Sequence, residues 1–406
     1  MDIRSITLFC TPEQKPAETA AFLAAARQAF PFPVQTIRLA TTPFPEWLAN
    51  SPKNASLNKA LDFASGWREA GIHYISLGPV LLSHHPDWLD TLPALIGAGD
   101  MLFATAEIAD QNGRIDTARI QKTTHIIRQA SQKEANGFGN LYFAALAHCA
   151  PGSPFFPVAY HQGQAPAFAL AVESADLALQ AIQSAHTLDE ARTNLVTAVE
   201  QSAAQLTVPA RQLAQQHGIT FGGIDFSLAP FPTDDKSLGG ALEAFGLPHI
   251  GASGSLFAAA LVTEAIEQAQ FPRCGFSGLM LPVLEDSVLA KRAAAGELTV
   301  ADLLSYSAVC GVGLDTIPLP GDVDEAQLTA VLLDVAALAA RLRKPLTARL
   351  MPLPGLAAGD PVTFDFPYFA DSRVMAVRGT GASHLLAKPA VVTLNPIRKR
   401  FQTSNL

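Results

Sequence analysis

The stretch GVGLDTIPLPGDVDEAQLTAVLLDVAALAARLRKPLTARLMPLPG, Gly311–Gly355, decides the fold class. It begins in an extended run, Val309–Pro318, punctuated by glycine and proline. A helix follows over Glu325–Arg343, and an apolar strand over Leu346–Met351. The same alternation recurs upstream. Ile3–Phe9, Val34–Leu39, Ile72–Leu77, Met101–Ile108, Leu141–Ala147, Ala167–Val172 and Phe221–Asp225 read as strands, separated by Ala/Leu/Gln-rich helical stretches. Strands that alternate with helices specify an α/β fold with a largely parallel sheet of roughly ten strands.

Local signals mark the element ends. Thr11 with Gln14 three residues on, and Pro12 between them, predicts a capping box for a helix reaching about Phe30. Thr187 with Glu190 predicts the start of a long helix over 187–218, which Pro209 should break or kink. Gly278–Leu284 reads as a strand ending in Glu285–Asp286, with Asp286 capping the next helix. No polar linker and no short repeat divides the chain, so residues 1–406 read as one domain. The tail 379–406, with Arg398, Lys399 and Arg400, is expected to be mobile or to pack on a partner.

Composition excludes several function classes. Of 406 residues only 16% are charged and 49% are apolar, with a net charge of −8, and mean hydropathy is +0.21. Such a chain can bury enough surface to fold. Its acidic balance argues against nucleic-acid partners and against docking on an anionic membrane. The longest uncharged run, Ala135–Val172, is interrupted by glycines, prolines and polar residues, so it offers no spanning helix. MDIRSITLFC lacks the basic start and apolar core of a signal peptide. Cys10, Cys149, Cys274 and Cys310 are far apart, against a disulfide framework or a structural zinc site. These features point to a cytoplasmic protein that takes a small-molecule ligand, and they leave room for a homo-oligomer.

The unusual residues gather between Phe221 and Gly359. In FGGIDFSLAP, Asp225 ends a strand, where parallel α/β proteins place ligands; a carboxylate there can move a proton or hold a polar substrate. GASGS, Gly251–Ser255, precedes a helix, so Ser253, Gly254 and Ser255 could present N–H groups to an anion. Arg349 lies in an apolar strand, where a lone charge is expensive; it needs an anionic substrate or a partner such as Asp315 or Asp225. Asp322 and Glu285 are loop carboxylates, and a divalent cation is one group they could hold. Cys310 lies on a glycine-rich loop, where packing is its ordinary role. Asn136 and Asn140 bracket two glycines in NGFGN, and His161 follows in a polar loop. No nucleotide or flavin fingerprint is present.

Together NGFGN (136–140), AYH (159–161), DFSLAP (225–230), GASGS (251–255), LPVLED (281–286), VCGVGLDTIPLPGD (309–322) and PLPGLAAGD (352–360) resemble domain-of-unknown-function family 711, also called uncharacterised protein family 0210. The resemblance implies a pyruvate formate-lyase-like α/β barrel, surrounded by helices. By position, Cys310 would be the analogue of the loop cysteine inside such barrels, which makes it a catalytic candidate. The Arg373–Gly381 string does not match the radical-bearing glycine motif of those enzymes. The expected function is an enzyme acting on a small polar or anionic metabolite, with Cys310, Asp225, Asp315 and His161 as catalytic candidates. Arg349, Ser253–Ser255, Asn136 and Asn140 would hold the anion. A non-enzymatic metabolite sensor is the alternative, and a glycyl-radical enzyme ranks last.

Overall fold

The computed structural model describes residues 1–52, 56–134 and 136–397. Arg398, Lys399, Arg400 and the rest of the tail to Leu406 lie outside the described residues. The strands are β1 (Asp2–Phe9), β2 (Val34–Ala40), β3 (Tyr74–Val80), β4 (Leu102–Ala109), β5 (Arg114–Asp116), β6 (Phe143–Ala147), β7 (Ala167–Glu173), β8 (Thr220–Ala229), β9 (Gly313–Pro320), β10 (Leu346–Leu353), β11 (Pro361–Val362), β12 (Ser372–Arg373) and β13 (Val391–Thr393). The helices are α1 (Pro16–Ala26), α2 (Leu57–Glu69), α3 (Leu92–Leu95), α4 (Thr117–Ser131), α5 (Ala175–Gln183), α6 (Leu188–His217), α7 (Leu238–Glu243), α8 (Ser255–Gln268), α9 (Ser287–Ala294), α10 (Val300–Ser307) and α11 (Glu325–Leu342).

One large sheet dominates, in the order β8-β7-β1-β2-β3-β4-β6-β10-β9, with β5 and β13 attached beyond β4. Its centre, β1-β2-β3-β4-β6, is parallel throughout. Each flank runs the other way. β7 is antiparallel to β1 and parallel to β8; β10 is antiparallel to β6 and parallel to β9. This is the mixed α/β architecture that the alternating pattern implies. Every residue of β4, β6 and β10 is buried, as expected of strands covered on both faces.

The sequence reading needs local corrections. The Thr11 capping box does not form. Pro16 starts α1 instead, because the Glu18 carboxylate reaches back to the Lys15 N–H (3.2 Å), and the helix stops at Ala26. Pro209 does not end α6, which runs unbroken over 30 residues; a single proline removes only one backbone donor. Thr187 does cap that helix, accepting from the Glu190 N–H.

Gly278–Leu284 is not a strand. Pro282 has no N–H to give, Ser277 has φ +40°, and Gly278 faces Gly311 so closely that a Cβ on it would meet the Gly311 Cα at 2.6 Å. The extended segment 273–284 nevertheless touches both outer strands. Ile224 bridges to Arg273 and Pro282 to Asp315, both in parallel sense, and the Met280 N–H donates to the Ser227 carbonyl (3.0 Å).

Two more pieces complete the frame. The loop 148–161 lies against the sheet, where Thr7 Oγ1 donates to the Pro154 carbonyl and Ser76 Oγ to the Pro157 carbonyl (both 3.3 Å). The chain from Gly379 to Ile397 packs on its own helices. Gln327 donates to the Gly379 carbonyl, Thr117 to the Lys388 carbonyl, and β13 pairs with β5. No helix among the described residues is long and apolar enough to cross a membrane.

Candidate functional site

A cavity of about 90 Å³ opens where the amino ends of β1–β4 meet the carboxyl halves of β7 and β8 and the middle of β10. Arg4, Thr36, Arg38, Tyr74, Phe103, Asp225, Ser227, Glu285 and Arg349 line it, with aromatic walls from Phe155, Phe156, Phe366 and Tyr368. FGGID suggests that Asp225 ends its strand, but the apolar run continues and β8 stays paired to Ala229. Asp225 therefore enters the cavity from mid-strand, whereas β1–β4 present their amino ends.

The sheet is irregular at these residues. The β1–β7 ladder shifts register between Ile3 and Ser5, around Arg4. The β10–β9 ladder shifts between Ala348 and Leu350, around Arg349. The β7–β8 ladder shifts between Ala171 and Glu173, opposite Asp225–Ala229. Such bulges re-aim side chains and gather near active sites. Leu228, Ser277 and Thr316 hold φ of +46°, +40° and +45°, a left-handed backbone that is costly for non-glycine residues and most of all for β-branched threonine.

The charges form a network. Arg349 grips Asp315 with two bonds (Nε–Oδ1 2.6 Å, Nη2–Oδ2 3.0 Å) and reaches Glu285 Oε1 with Nη2 (2.9 Å). Arg4 Nη2 binds the other Glu285 oxygen, and its Nη1 approaches the Pro230 carbonyl (3.4 Å). Burial alone would raise Glu285, but the Arg4 and Arg349 guanidinia overcome it and hold that carboxyl below its usual range. Burial, with the Glu285 charge beside it, pushes Asp315 up despite Arg349.

Arg38 differs from both. Its Nε donates to Thr36 Oγ1 (2.9 Å), and its guanidinium lies 5.1 Å from the Phe156 ring centre and 5.7 Å from that of Tyr74. Among the described residues no carboxylate lies within 4.0 Å of it and its two Nη groups have no acceptor. Burial and the nearby Arg4 charge lower it to about 9. Asp225 completes the lining. It accepts from the Phe276 and Ser277 N–H groups (2.9 and 3.0 Å) and from the Ser227 hydroxyl. Burial outweighs these donors and raises its carboxyl.

The remaining sequence candidates lie elsewhere. Cys310 is buried in the main apolar core, on the turn between α10 and β9, and does not line the cavity. His161 is buried beside Phe9 (6.4 Å between rings), with its backbone N–H on the Thr41 carbonyl; burial lowers its pKa. Ser253 and Gly254 are exposed, and Ser255 Oγ donates back to the Ala252 carbonyl (2.7 Å). Asn136 accepts from the Phe138 N–H and Asn140 donates to the Ile127 carbonyl, so NGFGN folds as a structural turn. Asp322 is exposed, while both Glu285 oxygens are engaged by arginines. Glu285 and Asp322 are not brought together, and no group of three or more metal-ligating side chains occurs among the described residues.

Arg4, Arg38 and the aromatic walls were missed by the sequence reading. The argument applied to Arg349, a charge inside an apolar strand, also applies to Arg4 and Arg38.

Two other buried carboxylates matter to the frame. Asp286 caps α9 through the Val288 and Leu289 N–H groups and also accepts from Leu238 and Gly239 at the start of α7. Glu107 lies at the opposite end of β4 from the cavity, with Oε2 accepting from the Leu82 N–H (2.6 Å). Burial raises it to about 7.

Comparison with known proteins gives a consistent family. The family model described as Uncharacterised ACR (DUF711) matches residues 1–365. The chain is 38% identical to a UPF0210 protein of Pyrobaculum arsenaticum over 54% of its own length and 50% of the relative's. It is 29% identical to UPF0210 protein MK1214 of Methanopyrus kandleri over 81% and 76%. The chain spans about half the length of the Pyrobaculum relatives it matches.

Proposed function

The chain belongs to the DUF711 family, and from that premise we propose that it is an enzyme acting on a small organic anion in the cavity between Arg38 and Asp225. The observation that carries this reading is Arg38: a guanidinium in an aromatic cavity, with its two Nη groups unaccepted among the described residues. A planar fork of donors matches a carboxylate or phosphate. Arg4 and Arg349 are committed to Glu285 and Asp315, so they shape the site without supplying free charge. Asp225 has its pKa raised by burial and lies in the same cavity, so it is the candidate for accepting a proton from the bound anion and returning it. The strained residues Leu228 and Ser277 beside it favour a functional site.

In this reading the segment 273–284 acts as a tenth stave between β8 and β9 and closes a barrel of the pyruvate formate-lyase type. The two parallel bridges support that closure. The thiol-radical reading lacks comparable support, because no cysteine lines the cavity and Gly381 packs against Ala326 at the start of α11. One observation favours binding without turnover: among the described residues no imidazole lines the cavity either, which leaves Asp225 as the candidate for proton transfer.

The test is a thermal-shift screen of organic anions on wild type and on Arg38→Gln, followed by product analysis of each hit. Anion-induced stabilisation that disappears in Arg38→Gln supports the site. Turnover that disappears in Asp225→Asn makes it an enzyme; binding with no product from any hit makes it a sensor. Stabilisation that persists unchanged in Arg38→Gln overturns the assignment.

A further inference from the structure

We infer that the ligand is a monoanion, a monocarboxylate with a short apolar body, and that phosphate esters and dicarboxylates are excluded. This rests on the reading of the cavity as an anion site and goes on to name the class.

The argument is a charge count on one surface. Three guanidinia line the cavity, and two are neutralised by Glu285 and Asp315 within 3.0 Å. The third carboxyl there, Asp225, is answered by the Phe276 and Ser277 N–H groups and the Ser227 hydroxyl, and takes no guanidinium among the described residues. Arg38 alone is uncommitted, so one negative charge finds a partner and a second does not. A second charge would be buried beside Glu285 and Asp225, and an unpaired buried charge is strongly disfavoured.

The donor geometry agrees. Thr36 takes the Arg38 Nε–H, which leaves two Nη groups to form a planar pair of bonds to one carboxylate. Tyr74 and Phe156 lie within 5.7 Å and 5.1 Å of that guanidinium. They add no polar groups for a third phosphate oxygen beyond the single Tyr74 hydroxyl. Around it Phe103, Phe155 and Phe366 supply apolar wall in a cavity of about 90 Å³, which suits a short aliphatic body.

The test uses four probes on the purified full chain, with titration calorimetry: propionate, methanesulfonate, succinate and methylphosphonate. Propionate and methanesulfonate, both monoanions, are expected to bind wild type. Arg38→Gln is expected to weaken them by about tenfold or more, as for a lost charged hydrogen-bonded pair. Succinate is expected to bind at least about tenfold more weakly than propionate. Methylphosphonate affinity, referenced to propionate at each pH, should fall as its second ionisation makes it a dianion.

Succinate or dianionic methylphosphonate binding as tightly as propionate, and weakened by Arg38→Gln, overturns the monoanion class while the anion site stands. No binding by any probe, or equal binding in Arg38→Gln, overturns the anion site itself. Circular dichroism checks that the variant folds. Arg38→Lys keeps the charge but not the fork, and is expected to bind propionate more weakly than wild type and more tightly than Arg38→Gln; should Arg38→Gln not fold, Arg38→Lys and the wild-type probe ratios decide.

Discussion

Glu285 and Glu107 are the same residue type, both almost wholly buried, at opposite ends of one sheet, and their carboxyls move in opposite directions. At the cavity, Arg4 and Arg349 hold Glu285 below its usual range. At the far end of β4, Glu107 has one N–H donor at bonding distance, and burial lifts it to about 7. The Arg119 guanidinium lies close to Glu107 but donates to the Leu81, Leu82 and His84 carbonyls. Burial disfavours the charge in both places; a committed counterion decides the outcome. By that measure Arg38 is the odd member of the cavity, a half-buried cation that, like Glu107, has no committed counterion among the described residues.

The comparison breaks most visibly at Arg349. Arg349→Met leaves Asp315 buried without its partner and Glu285 with one fewer. It should cost about 3–5 kcal/mol in urea unfolding. A loss under about 1 kcal/mol would mean that the pairing does not hold the network together.

Glu107 tests the other side. Its folded form binds a proton more tightly than the unfolded chain does, so wild-type stability should fall as pH rises from about 4.5 to about 7. Glu107→Gln keeps an acceptor for Leu82 and has no charge to bury. It should match wild type near pH 4 and exceed it at pH 8 by up to about 3 kcal/mol. Equal pH profiles for the two proteins would refute the role given to burial.

Asp286 sharpens the contrast from a third position, because N–H groups of two helices satisfy it instead of cations. Asp286→Ala removes caps from both α7 and α9 and should cost about 2 kcal/mol or more, at about 1 per cap. Parallel loss of both helices' hydrogen-exchange protection would identify the shared cap as the cause. The smallest effect is expected at Arg38. Arg38→Gln breaks no ion pair, so stability should change by less than about 1 kcal/mol. A larger loss would show that the aromatic contacts make Arg38 part of the frame.

Much of the fold was legible because apolar runs and helical spacing repeat along the whole chain. The Arg349–Asp315 pair was legible for a similar reason: a charge inside LTARLMPL has to be answered. Asp225 was marked as a carboxylate inside an apolar run, and β8 continues past it to Ala229. Other features carry no local signal. The register shifts at Arg4, Arg349 and Asp225 arise from pairing between strands far apart in sequence, and the positive φ of Thr316 runs against the preference of its own side chain. Arg4 and Arg38 carry the Arg349 signal in weaker form: Arg4 has Asp2 and Ser5 near it in β1, and Arg38 follows Gln35 and Thr36 in β2, so each charge looks solvated until the 148–161 loop and Tyr368 are brought over it. Cys310 misled through its glycine-rich loop, which serves the close approach of Gly311 to Gly278.

The ion pair between Arg4 and Glu285 joins residues 281 positions apart, with a consequence for biosynthesis. The first strand emerges from the ribosome long before its charge partner has been translated, and Arg349 follows later still. Until then β1 can pair with β2 and, once residues 167–173 are made, with β7, but Arg4 has no Glu285 to neutralise it. Long-range closure of this kind slows folding, and it leaves nascent amino-terminal fragments with an unneutralised arginine. The ligand cavity is therefore among the last parts of the molecule to form, and its occupancy reports that synthesis and folding have reached at least β10.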